Sequence, residues 1–200
     1  MKRSAFLIAF PFLFLVASCS PERVAEIEEV EPQPGYRIIP ARWGELALAQ
    51  CSRVSPPFDG PFWSVSSGDV AAFEQRLEQA LSDPPADLVK SEKQDRANGV
   101  AIPQPTDFVS SREKLGREYI GYTVNGRRMI YGNFYPPFEA ADFASVPAED
   151  RDGPYGTCDG GHVFFGAEYD VEKRLIDRIS FDGAIEVGGI YVQPFRPASE

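Results

Sequence analysis

Residues 117–135 read REYIGYTV-NG-RRMIYGNFY, two strand-like runs joined by Asn125 and Gly126. A two-residue Asn-Gly connection demands positive φ at both positions, which these two residues tolerate, and it sets the register of a type I′ hairpin. Val124 then faces Arg127, Tyr122 faces Met129, and Ile120 faces Tyr131, so Ile120, Tyr122, Val124, Met129 and Tyr131 share one face. A second pair, HVFFGAEYDV and LIDRISFDG, turns near Glu172-Lys173-Arg174. There Val163, Phe165, Ala167, Tyr169 and Val171 alternate on one face, joined by Leu175, Ile179 and Phe181. Glu168 and Asp170 fall on the opposite, wet face of that strand.

Ser66-Ser67-Gly68-Asp69 reads as a capping box, followed by Val70, Phe73, Leu77, Ala80 and Leu81 at helical spacing and stopped by Pro84-Pro85. Glu74, Gln75, Glu78 and Gln79 are assigned to its wet face. With a short strand at 62–65, the expected fold is α+β, one main helix packed on an antiparallel meander in the order β-α-β-β-β-β. That order resembles the cystatin-like arrangement, a likeness of topology without a diagnostic motif. Segment 36–54 is expected as an N-terminal addition, and 84–107 as a surface loop with one short helix.

The chain opens MKRSAFLIAFPFLFLVASCS. Lys2 and Arg3 precede an apolar run of about 13 residues, too short for a bilayer core that takes about 20. Val16-Ala17-Ser18-Cys19 then brings small residues up to a thiol. These residues resemble the lipobox of bacterial lipoproteins, and beyond them the chain resembles only uncharacterised lipoproteins of the Gram-negative envelope. The resemblance implies cleavage before Cys19, acyl chains on Cys19 that enter a lipid bilayer, and, with Ser20 rather than an aspartate next, an outer-membrane anchor facing the periplasm. Inner membrane and cell surface are the alternatives. The organisation expected is a signal peptide at 1–18, a lipidated Cys and an acidic, Pro-containing linker at 19–35, and a single α+β domain at 36–200. The linker carries Glu22, Glu26, Glu28, Glu29 and Glu31 beside Pro32, Pro34 and Gly35, a composition that buries little.

The formal charge is −10, and −12 without residues 1–18, which hold two basic and no acidic residues. Such a surface repels phosphate backbones, and nucleic-acid binding is excluded as an expectation. Of the three cysteines, giving Cys19 to lipid leaves Cys51 and Cys158. In an oxidising compartment these are expected to form a disulfide, with a reactive thiol as the alternative.

No catalytic set stands out. His162 is the sole histidine, four residues after Cys158, which is too few partners for zinc, and no G-x-S-x-G elbow accompanies it. Glu168 and Asp170 form a carboxylate pair of the kind glycosidases use, and equally the solvated face of a strand. Phosphate-cradling loops and other cofactor motifs are absent, so no cofactor is expected. Tyr131, Phe134, Tyr135 and Phe138, around NFYPPF, form a candidate recognition patch. The function expected is therefore a non-enzymatic binding or accessory domain for a protein or envelope component. An envelope hydrolase acting on glycan or lipid is the first alternative, and an inhibitor of a secreted hydrolase the second.

Overall fold

The computed structural model describes residues 35–137 and 152–182. The signal peptide, Cys19 and all of the linker but Gly35 lie outside them, as does Phe138. Among the described residues the elements run β1 (Arg37–Ile38), α1 (Gly44–Leu48), α2 (Ser67–Leu81), α3 (Ala86–Ala97), α4 (Phe108–Ser111), β2 (Gly116–Val124), β3 (Arg127–Tyr135), β4 (Phe165–Asp170) and β5 (Leu175–Phe181). The sheet order is β1-β2-β3-β4-β5, with β1 parallel to β2 and the other pairs antiparallel. The fold is α+β on a mixed sheet.

The β2–β3 hairpin has the expected register, with Val124 against Arg127, Tyr122 against Met129 and Ile120 against Tyr131. Asn125 at φ 50° and Gly126 at φ 71° make the turn. The first strand lies elsewhere than expected. Residues 62–65 contribute a single bridge, Trp63 to Gly121, and the strand is Arg37–Ile38 from the N-terminal addition. Together with Asp59 and Gly60, whose amides both reach the Thr123 carbonyl, these pieces cover the outer edge of β2.

Helix α2 forms as its sequence dictates. The Ser66 hydroxyl accepts from the Asp69 amide at 3.2 Å, and the Asp69 carboxylate accepts from the Ser66 amide at 3.0 Å. Val70, Phe73, Leu77, Ala80 and Leu81 are all 5% exposed or less. Each of the larger ones gains about 1.5–3 kcal/mol by leaving water. They pack on Tyr119, Ile130, Phe134, Phe165, Tyr169, Ile176, Ile179 and Phe181 from the sheet. Glu74 departs from its expected wet face and is 7% exposed, accepting from the Tyr119 hydroxyl at 2.8 Å and pairing with Arg117.

A bulge between Glu168 and Tyr169 shifts β5 so that Ile176 joins the core, whereas Leu175 stays only partly buried. Simple alternation would have chosen the other set. The opposite sheet face is buried as well. Ile120, Tyr122, Val124, Met129 and Tyr131 pack there against Ile39, Ala47 and Leu48 of the N-terminal addition. A sheet dry on both faces explains why Tyr119-Ile120 and Ile130-Tyr131 show no polar alternation.

Segment 84–107 is more ordered than a loop. Its 12-residue helix α3 buries only Leu88 and Glu92, and Glu92 accepts from the Thr106 amide at 3.0 Å and from its hydroxyl. Too few apolar positions face inward for a periodicity to show.

Candidate functional site

The chemistry-bearing residues of the sheet lie on the face turned away from α2. Cross-strand pairs place Glu118 beside Asn133, Tyr131 beside Glu168, Met129 beside Asp170, and Glu168 beside Arg178. Glu168 and Asp170, expected in solvent, are 5% and 0% exposed. Alternation does point them away from the α2 core, but a second layer covers that face. Arginines make their burial tolerable: Arg127 meets Asp170 at 2.8 Å and Arg178 approaches Glu168 at 3.5 Å.

Two further pairs complete the row. Arg37 meets Glu118 at 2.6 Å and Arg53 meets Asp182 at 2.8 Å. Arg53 also donates from Nε to the Tyr131 hydroxyl at 2.9 Å and pairs with the Asn133 side chain. Glu118 additionally accepts from the Tyr155 amide at 2.9 Å, from Asn133 Nδ2 at 3.3 Å and from the Tyr135 hydroxyl at 3.3 Å. Glu168 accepts from the Tyr122 hydroxyl at 2.8 Å.

Burial pushes the Glu118, Glu168 and Asp182 carboxyls above their ordinary range, against the pull of Arg37, Tyr122 with Arg178, and Arg53 respectively. Burial, reinforced by Glu168, also drives the Tyr122 phenol far up, and burial with Glu118 does the same for Tyr135. Raised carboxyls are a property of general acids, but here Glu118 and Glu168 accept from internal donors, and Asp182 is held by Arg53 through Oδ1 while its Oδ2 is buried without a partner among the described residues. The row works as a set of clamps that ties Arg37, Arg53, Tyr155 and Asp182 from four separate segments to one sheet face. Nothing in the sequence around Arg53 signals this role, because its partners lie 78 and more residues away.

Tyr131, Phe134 and Tyr135 do not form a recognition patch, being 2%, 0% and 2% exposed. Phe134 stacks on Phe165 at 4.5 Å and meets Phe108 edge-on at 5.4 Å; Tyr135 stacks on Tyr155 at 4.3 Å. Rings of this size are worth more inside a core than on its rim. Cys51 and Cys158 are joined in a disulfide, which leaves Cys158 no thiolate for chemistry with His162.

His162 has other partners. Its Nδ1 lies 2.9 Å from Ser91 Oγ, and its Nε2 lies 2.9 Å from Gln104 Oε1 and 3.0 Å from Asp95 Oδ2. Ser91 and Asp95 stand one turn apart on α3, so this helix, longer than the short one expected in 84–107, brings a hydroxyl and a carboxylate to opposite edges of one imidazole. A proton on Nε2 shared with the acceptors leaves Nδ1 to receive the Ser91 hydroxyl hydrogen.

A large open groove lies on the surface of the described residues. It has a volume of about 770 Å³ and is lined by Leu46, Leu48, Ala49, Pro56, Phe58 and Phe62, with Arg42 and Glu45. Leu46 and Phe58 are 55% and 41% exposed, and the Phe58 and Phe62 rings lie 5.0 Å apart. No protein-family model, curated protein or solved structure matches the chain.

Proposed function

We propose that the chain is a lipid-anchored, non-enzymatic binding domain of the bacterial envelope, held at the outer membrane through Cys19 and facing the periplasm. Its groove beside α1 receives an apolar segment of an envelope protein. The observation that carries the binding part is the exposure of Leu46 and Phe58 within that groove. The tether rests on residues 1–19 and their lipobox-like order, and the disulfide between Cys51 and Cys158 suits an oxidising compartment.

Two measurements test it. An intact mass of the protein from a bacterial envelope is expected to begin at Cys19 and to carry acyl mass; an unmodified soluble species rejects the anchor. A photo-crosslinking residue placed at Phe58 in the same envelope is expected to give a discrete adduct that Leu46→Glu abolishes. Equal crosslinking from Glu113, an exposed position away from the groove, rejects the binding site.

Hydrolysis is the second reading, favoured by the Ser91–His162–Asp95 constellation alone. In this reading Ser91 Oγ attacks an ester carbonyl carbon while His162 Nδ1 takes its proton; the ester C–O bond breaks and the alcohol leaves with that proton, and water that gives its proton to Nδ1 then attacks the acyl carbon, freeing the acid and returning the proton to Ser91. Labelling of Ser91 by a fluorophosphonate, abolished by His162→Asn, supports it; an unlabelled protein rejects it. The inhibitor reading rests on the cystatin-like likeness of the expected order alone, with α2 packed on the β2–β5 meander as its support. The parallel strand β1 and the helix α3 depart from it.

A further inference from the structure

On the other side of the molecule, α2 and the β4–β5 turn enclose a polar basin of about 410 Å³, lined by Gly68, Asp69, Ala72, Gln75, Arg76, Tyr169, Val171 and Arg174. Two of these residues are arginines in a chain of net charge −10. Arg76 is exposed and donates only to the uncharged Gln79, at 2.8 Å. The Arg174 side chain is exposed and takes no hydrogen-bond or ion-pair partner among the described residues. Most other described arginines meet a carboxylate, as at Arg37, Arg53, Arg117, Arg127 and Arg178, while Arg128 lies over the Trp63 ring. A basin lined by two guanidinium groups without an ion pair, against the single carboxylate of Asp69, is therefore unusual among the described residues.

We propose that this basin binds a small polar molecule through a compact oxyanion, a phosphate ester or a carboxylate, held between Arg76 and Arg174. The proposal is independent of the groove beside α1. Four features support it. Arg174 is set in place by its backbone, since its amide donates to the Asp170 carbonyl at 2.8 Å in a turn that Asp170 Oδ1 also ties to the Lys173 amide at 2.9 Å. Tyr169 is 3% exposed, takes no partner for its hydroxyl among the described residues, and presents what remains uncovered to the basin. Both arginine charges act on that phenol against the rise that burial imposes, while Asp69 and Asp170 add to the rise. The acid in the lining, Asp69, is already engaged by the Ser66 amide at 3.0 Å and hydroxyl at 2.7 Å. The 15-residue helix α2 also begins at this wall, and the positive end of its dipole adds to the field an anion meets.

Guanidinium groups suit phosphate and carboxylate because they offer paired N–H donors in one plane. The cavity exceeds a bare phosphate, which leaves room for the body of the molecule that carries it, and Gln75 offers an uncharged amide for that part.

The test is a thermal-melt titration of the full chain with inorganic phosphate, glucuronate and glucose, each against sodium chloride of equal ionic strength. Phosphate or glucuronate is expected to raise Tm saturably, with a dissociation constant on the order of a millimolar. Arg174→Ala and Arg76→Ala are expected to weaken it by about ten- to a hundredfold, the range of a charged hydrogen bond. Lys90→Ala, on exposed α3, is expected to leave it unchanged. Both arginines are exposed, so the variants keep their fold. The proposal is overturned if neither anion gives a saturable shift beyond chloride, if glucose binds as well, or if Lys90→Ala weakens binding as much as Arg174→Ala.

Discussion

The guanidinium of Arg53 and the carboxylate of Asp182 lie 2.8 Å apart, with their side chains only 3% and 2% exposed. Arg53 follows Cys51 by two residues and Asp182 directly follows β5, so the pair binds the disulfide-linked segment to the end of the sheet. A buried ion pair gives little net stability compared with a well-packed apolar replacement, but breaking one from a single side strands a charge. Arg53→Met is therefore expected to cost about 3–5 kcal/mol, read as a fall in the urea midpoint. The double variant Arg53→Met with Asp182→Leu should recover much of that loss, and strict additivity of the two single changes would refute the coupling.

Glu168 supplies a pH signature. Its carboxyl sits above the ordinary range because burial disfavours its charge. Below about pH 4.3, the ordinary glutamate value, the group is protonated in both folded and unfolded chains. As pH rises through its raised folded value, the folded state must surrender a proton that the unfolded state has already lost, and its contribution to stability falls. Glu168→Gln removes that loss while keeping an acceptor for the Tyr122 hydroxyl. The variant should gain on the wild type as pH rises from about 4.3 towards 8 and hold a constant offset below. A constant offset across the whole range in urea-melt series would exclude this account.

The Cys51–Cys158 disulfide spans 107 residues. By chain entropy, a loop of that size is worth about 4–5 kcal/mol. Replacing both cysteines by serine should lower the urea midpoint accordingly, and reducing agent should lower the wild type but not the variant. It should also speed amide exchange selectively around Arg53, the clamp nearest to the disulfide; uniform change across the sheet would speak against that local coupling.

Gly121 is held to glycine by a ring. A Cβ there would lie 2.3 Å from Trp63, whose indole donates to the Tyr122 carbonyl at 3.0 Å and carries the Arg128 guanidinium 4.0 Å from its centre. Gly121→Ala should displace Trp63, costing about 1–3 kcal/mol, with a shift in tryptophan emission. Unchanged emission with unchanged stability would refute the packing.

Local chemistry was readable where it is local. The Asn125-Gly126 turn announced a register, Ser66 and Asp69 announced a helix start, and the cysteine count suggested the disulfide. Long-range compensation was not. Glu74, Glu168 and Asp170 look like solvated acids until Arg117, Arg178 and Arg127 are placed against them, and Arg53 looks like any surface cation. β1 has two residues, too few to carry a pattern, and α3 buries too little to betray itself. A short helix was expected in 84–107, but without its position and extent the neighbours of His162 stayed hidden as well. The groove could not be read either, since it forms only when 41–49 and 55–62 are brought together over β2.

The covering of β2 bears on what that edge leaves open to another chain. The carbonyls of Tyr119, Gly121 and Thr123 are already occupied by amides of Ile39, Trp63, and Asp59 with Gly60. A visiting strand would find no continuous ladder to extend and would first have to peel away three separate pieces of the domain's own chain. Backbone zippering, which tolerates many sequences, is thereby closed off at that edge, and only side-chain contacts, which discriminate among sequences, are left open.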